Sequence, residues 1–378
     1  MKKYLLIFLL SFLFNFSTQA DHQNEPYSFN RMWKYKINKS ENYHKFEFDL
    51  QNNKLSKKVE EQLKNKKTTN LVSYLLYEDG KIKIDQQTKS KYGKYYPSHS
   101  IGKSLVSVVT GYAVCGGYID SVHSNIDYPT VENTLYQNQK LLNLLNMTAG
   151  DDLYIGERRH SFDSSINGKS INTIPIKNAM KKYFKNKPGL EPGVNYNYSA
   201  MTTNVIVNYV IYKTGDDWNK LLNKIFVEDA KVKNKVYFGK ALVRTGKNKV
   251  GNRKSGEYGR YSFYAQRDDY LRIGLMVMNH WNNNTCVGKY LKTMYENRVD
   301  KNRSSYSIEA ASQYSRSYGG QFHFDIVFME DRKILSMDGF GGQQLIIDFD
   351  KKRVISVAST DRHYDWYEIV YKTLEGTQ

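Results

Sequence analysis

Regular patterning is clearest from Leu71 to Tyr77, an apolar run closed by Glu78-Asp79-Gly80; Lys81-Ile82-Lys83-Ile84 then alternates polar and apolar positions. Asp-Gly supplies the positive φ values of a two-residue turn, so this stretch predicts a β-hairpin. Near the other end Gln344–Phe349 and Val354–Ala358 flank the polar Asp350-Lys351-Lys352-Arg353, which predicts a second hairpin, preceded by strands over Gln321–Met329 and Lys333–Met337. Between the hairpins apolar residues recur at helical spacing over Leu141–Met147, Thr203–Tyr212 and Tyr270–His280. A closing helix over His363–Leu374 carries Trp366, Ile369, Val370 and Leu374 on one face. In the polar segment 21–68, Leu55, Val59 and Leu63 mark one short amphipathic helix. Strands at both ends with helices between predict an α+β fold. One antiparallel sheet is built from both chain ends and flanked by helices, and a mainly helical lobe is inserted at about 120–265.

Residues 1–20 read differently. Lys2 and Lys3 precede the apolar Leu5–Phe14, and Ser17-Thr18-Gln19-Ala20 offers small residues for cleavage. This is the pattern of a cleavable export signal, with Asp21 as the mature start, and it implies a periplasmic or secreted protein. No later segment is apolar enough to span a membrane. The hydrophobic share of 40% argues for a globular chain, with residues 69–378 as the principal domain. The net charge of +18 fits contact with an anionic envelope surface, although the lysines are spread along the whole chain. Export argues against a nucleic-acid partner. No zinc-like Cys/His spacing or EF-hand run occurs, so neither metal nor cofactor is implied. Cys115 and Cys286 are the two cysteines. Pairing is open to them outside the cytoplasm, while the apolar neighbours of Cys115 read as core.

Chemistry concentrates in Ser98-His99-Ser100-Ile101-Gly102-Lys103-Ser104, which runs into Leu105–Tyr112. Pro97 breaks the chain just before it. Ile101, Leu105, Val108 and Tyr112 then define a helix whose small residues on other faces suit burial on several sides. Ser100 at the helix start places Lys103 one turn later on the same side. A serine hydroxyl becomes a useful nucleophile when a neighbouring base takes its proton. A lysine can do so when burial and the positive helix end keep it neutral. The Ser100 N–H can also steady an oxyanion. Gly102-Lys103-Ser104 matches the end of a phosphate-binding loop, but Pro97 stands where the first glycine belongs and offers no N–H. A Ser-His-Asp hydrolase lacks its Gly-x-Ser-x-Gly elbow here.

With these residues the chain resembles the serine β-lactamase and penicillin-binding-protein superfamily, and within it the class C β-lactamase-related and 6-aminohexanoate-dimer hydrolase branch. Four blocks carry the resemblance in order over about residues 70–375: Ser100–Ser104, Leu144–Gly150, Glu191–Ser199 and Asp338–Gln343. The resemblance implies Ser100 as nucleophile, Lys103 as base and Tyr198 as a second proton-handling group, its pKa lowered by Lys103. It also implies Gly342 N–H as the oxyanion donor beside Ser100 N–H. Gly339, Phe340, Gly341, Tyr96 and His99 are candidates to line the substrate cleft.

Two positions depart from the family pattern. Ala200 stands where an asparagine is common, and Gly339 stands where a lysine or histidine often begins the last motif. Their absence argues for a small-molecule ester or linear amide rather than a penicillin-like substrate. A peptidoglycan peptidase or β-lactamase, and a non-catalytic binding protein on the same scaffold, are the alternatives.

Overall fold

The computed structural model describes residues 34–65, 67, 69–90, 92–150, 191–242 and 257–376. Residues 1–20, read above as an export signal, the start of the segment read as polar and part of the region read as an inserted lobe lie outside them. In chain order the strands are β1 (Lys34–Ile37), β2 (Glu47–Phe48), β3 (Leu71–Glu78), β4 (Lys81–Gln87), β5 (Tyr96–Pro97), β6 (Val236–Leu242) and β7 (Glu257–Ala265). β8 (Val299–Asp300), β9 (Ser315–Gly319), β10 (Phe322–Ile326), β11 (Ile334–Asp338), β12 (Gln344–Asp348) and β13 (Arg353–Ser359) follow. The helices are α1 (Lys54–Lys64), α2 (Ile101–Cys115), α3 (Leu141–Leu145), α4 (Ala200–Thr214), α5 (Trp218–Asn223), α6 (Arg267–Asn282), α7 (Cys286–Glu296) and α8 (Lys372–Glu375).

Nine strands form the main sheet in the order β2-β4-β3-β13-β12-β11-β10-β9-β8. Both foreseen hairpins lie at its centre, and β3 from one chain end pairs directly with β13 from the other. Asp79 (φ 51°) and Gly80 (φ 82°) make the tight turn between β3 and β4, a geometry that matches the right-handed twist of the strands. All pairings are antiparallel except β2 with β4. On one sheet face α1 buries Leu55, Val59 and Leu63 against Trp366, Ile369, Val370 and Leu374 of the closing helical segment. On the other face α6 lies so close that a Cβ on Gly274 would come within 2.7 Å of Val354 Cγ1.

A second sheet, β1-β6-β7-β5, was not foreseen and falls partly within the lobe read as mainly helical. It matters because β5 leads into Ser100 and β7 packs on α2. Helix α2 itself is buried over nearly its whole length. Its small residues allow this: a Cβ on Gly102 would lie 1.8 Å from the Tyr261 carbonyl oxygen, and one on Gly111 would meet the Tyr290 ring at 2.6 Å. The hydroxyls find partners within the core. Ser104 donates to Gln321 O (2.6 Å) and Ser107 Oγ pairs with Tyr290 OH (2.8 Å).

Cys115 is a disulfide partner rather than a free core thiol. It joins Cys286 and ties the end of α2 to the start of α7 across 171 positions of sequence. No helix among the described residues is long and apolar enough to cross a membrane.

Candidate active site

The site begins where β5 is pinned to β7. Ser98 N donates to Phe263 O (2.8 Å), and Ser98 Oγ accepts from Phe263 N (2.9 Å). The chain then reverses through His99, which is held in the left-handed region (φ 45°) that non-glycine residues seldom occupy. Ser100 follows as the N-cap of α2, and its side chain makes no capping bond. The hydroxyl is therefore available to Lys103 Nζ, which donates to Ser100 Oγ at 3.1 Å. The Ser100 N–H has no acceptor among the described residues. Lys103 is only 3% exposed. Its ammonium lies 4.0 Å from the Tyr261 ring centroid and 4.8 Å from that of Tyr198.

Tyr198 reaches this pair because two sequence blocks hold each other. Met147 adopts φ 58°, and its carbonyl accepts from Asn197 N at 2.7 Å, while Thr148 O accepts from Gly193 N at 2.8 Å. Ser199 then caps α4 by accepting from Thr202 N (3.3 Å). Between these anchors Tyr198 comes close enough for the Ser100 side chain to act on its hydroxyl, and its ring packs edge-on against Tyr318 at 6.1 Å.

The opposite wall is the turn from β11 to β12. A Cβ on Gly339 would lie 2.7 Å from Ser98 O and 3.2 Å from His99 Cβ, so glycine lets the strand end press against the turn that leads into Ser100. Arg362 braces that turn from behind, with Nη2 donating to Asp338 Oδ2 and Gly339 O, both at 3.2 Å, and Nε to Phe340 O at 3.3 Å. Phe340 itself is 56% exposed at the rim.

Neither a family sequence profile nor a curated protein sequence matches the chain. Solved structures do. A Bacillus anthracis protein assigned as a 6-aminohexanoate-dimer hydrolase superposes with a TM-score of 0.60 at 15% identity, covering 91% of this chain and 89% of that one. A D-stereospecific amidohydrolase from Streptomyces gives 0.59 at 13%, over 85% and 99% of the two chains. A penicillin-binding protein homologue from Pyrococcus abyssi gives 0.56 at 15%, over 85% and 77%. This is the serine β-lactamase and penicillin-binding-protein fold.

Within this β-lactamase-like fold the structure brings Ser100, Lys103 and Tyr198 together and corrects three expectations. First, the Tyr198 pKa moves up, not down. Burial dominates and pushes it well above the ordinary tyrosine value; Tyr196, Tyr261 and Asp338 add to the rise, and the Ser100 side chain opposes it. Second, the Gly342 N–H does not point to an oxyanion. It donates to Gly339 O at 2.9 Å and closes the turn at φ 85°. The Gly341 and Gln343 N–H groups of the same turn have no acceptor among the described residues. Third, Tyr96 belongs to the core: it is 4% exposed, its carbonyl accepts from Tyr270 OH (3.0 Å), and its ring meets Tyr92. His99 and Gly341 do share the turn wall, since a Cβ on Gly341 would lie 3.3 Å from His99 Nε2.

Two residues of the site carried no motif. Arg362 follows the last strand, and Tyr261 sits in β7, whose sequence gave no sign of facing a lysine on α2.

Proposed function

We propose that this chain is an exported serine hydrolase that cleaves a small ester or linear amide through an acyl-Ser100 intermediate. The observation that carries the reading is the 3.1 Å hydrogen bond between Lys103 Nζ and Ser100 Oγ at a buried helix mouth, with the Tyr198 ring 4.8 Å from the same amine. Burial disfavours an ammonium; in its neutral form Lys103 takes the Ser100 proton as Oγ bonds to the substrate carbonyl carbon. The carbonyl π electrons move to oxygen, which the Ser100 N–H faces. Tyr198, kept as a neutral phenol by its raised pKa, is a proton donor and serves the leaving group as the tetrahedral adduct collapses. The Lys103 ammonium passes its proton to the Tyr198 phenolate, which restores both groups; water then attacks the acyl carbon as Lys103 takes its proton, and that proton returns to Oγ as Ser100 leaves.

The turn Gly339–Gln343 presents glycines and the exposed Phe340 rather than a cationic side chain, which supports a substrate whose acid half carries no carboxylate to be held there. A disulfide between Cys115 and Cys286 supports an oxidising compartment, in keeping with the apolar amino terminus.

Labelling with a fluorescent fluorophosphonate and mapping of the modified peptide tests the nucleophile. The label is expected on Ser100, with hydrolysis of short p-nitrophenyl esters reduced to about one thousandth or less in Ser100→Ala. Undiminished turnover in that variant would defeat the mechanism. Stoichiometric labelling by fluorescent penicillin would instead point to a penicillin-interacting peptidase.

A further inference from the structure

Resting on the reading of Lys103 as the base, we propose that Tyr261 is a positioning residue for that base: its ring face holds the amine and stabilises the ammonium that forms when Ser100 gives up its proton.

Three observations support this. Among the described residues the Tyr261 ring lies nearer Lys103 Nζ than that of Tyr198 does, at 4.0 Å against 4.8 Å. That distance is well inside the range at which a cation gains from the ring quadrupole, and the gain is largest where water is excluded; Lys103 is 3% exposed. The backbone that carries the ring is also seated against α2. Tyr261 O would lie 1.8 Å from a Cβ on Gly102, so β7 rests directly on the first turn of α2, one residue before Lys103. Finally, the Tyr198 ring lies farther from the amine and its hydroxyl is acted on by Ser100, so on this proposal the two rings have separate duties: one handles the serine and leaving group, the other the amine.

Acylation moves a proton from Ser100 Oγ to Lys103 Nζ while the Oγ–carbon bond forms. Positive charge therefore appears at Nζ as the barrier is crossed. A group that stabilises Nζ only when it is charged lowers that barrier without tightening substrate binding. The ring does this through its face and not through its hydroxyl. Phenylalanine should replace tyrosine here, and leucine should not.

The test does not depend on knowing the substrate. Protein carrying lysine labelled with carbon-13 at Cε is titrated by NMR, and the Lys103 resonance is identified by its loss in Lys103→Arg. A cation–π contact of this kind is worth about 0.5–2 kcal/mol, which corresponds to roughly 0.4–1.5 pH units. The Lys103 midpoint is expected to fall by that amount in Tyr261→Leu, to stay within about 0.3 units in Tyr261→Phe, and to rise in Tyr261→Trp, the strongest ring. The acid limb of ester hydrolysis should move in the same order, with kcat reduced in Tyr261→Leu and KM held. A midpoint unchanged across Leu, Phe and Trp would overturn the proposal, as would equal shifts in Leu and Phe, which would assign the effect to the hydroxyl. The Trp arm keeps the test decisive should the Leu variant fold poorly. Absence of fluorophosphonate labelling at Ser100 would sink the functional reading instead, and leaves the midpoint order standing on its own.

Discussion

Replacing Lys103 with methionine separates catalysis from folding, because the two should respond in opposite directions. Methionine has nearly the reach of lysine and suits the slot between Tyr261 and Tyr198, where the side chain is 3% exposed. The substitution deletes the amine bonded to Ser100 Oγ at 3.1 Å and little volume. A positioned general base contributes about 10²- to 10⁴-fold, or about 3–5 kcal/mol of barrier. On the stability side, an amine held out of water is replaced by a thioether with no solvation to lose, so the folded state should be unharmed or firmer. The assay pairs initial rates on p-nitrophenyl acetate, over a range of concentrations, with thermal unfolding of the same sample. The expected result is kcat/KM lower by at least about a hundredfold, with a Tm no lower than that of the parent. Turnover within tenfold of the parent would refute the base assignment. A lost Tm accompanying the lost rate would show that the amine is structural.

Two further outcomes follow from the same geometry. Opening the Cys115–Cys286 bridge, by reductant or by a double serine substitution, releases a loop of 171 positions; chain entropy then predicts a loss of about 5 kcal/mol, read as a lower urea midpoint, and an unchanged midpoint would show the bridge is dispensable. His323 is buried at 5% exposure, and its pKa is held well below the usual histidine value, first by burial and then by Lys301, Arg303, Arg362 and Lys103. The folded histidine resists a proton that the unfolded chain accepts below about pH 6.5, so its contribution is present above that pH and declines as pH falls. His323→Gln should flatten the stability profile between about pH 6.5 and 5 by up to about 1.4 kcal/mol per unit; parallel profiles in parent and variant would refute the assignment.

Much of this molecule was legible along the chain because the signals are local. Asp79-Gly80 dictates its own turn, alternating or periodic apolar residues dictate the strands and helices that bury them, and Ser100 and Lys103 are neighbours by helical geometry alone. The order of the blocks from Ser100 to Gln343 was enough to point to the β-lactamase-like fold and to single out Tyr198 among many tyrosines. Tertiary structure decided what depends on contacts between distant segments. The Cys115–Cys286 bridge needed α2 and α7 side by side. β6 and β7 pair with each other but are flanked by β1 and β5, far away in sequence, so the sheet they complete left no periodic trace that outweighed the helices around them. The Gly342 N–H was claimed by its own turn, a hydrogen bond that no spacing rule reveals. The Tyr198 pKa turned upward because desolvation by surrounding protein outweighs a single neighbouring charge, and desolvation is a property of the folded surroundings. Tyr261 came to face Lys103 for the same kind of reason: a glycine on one element let the backbone of another approach, and only the assembled fold puts that ring against that amine.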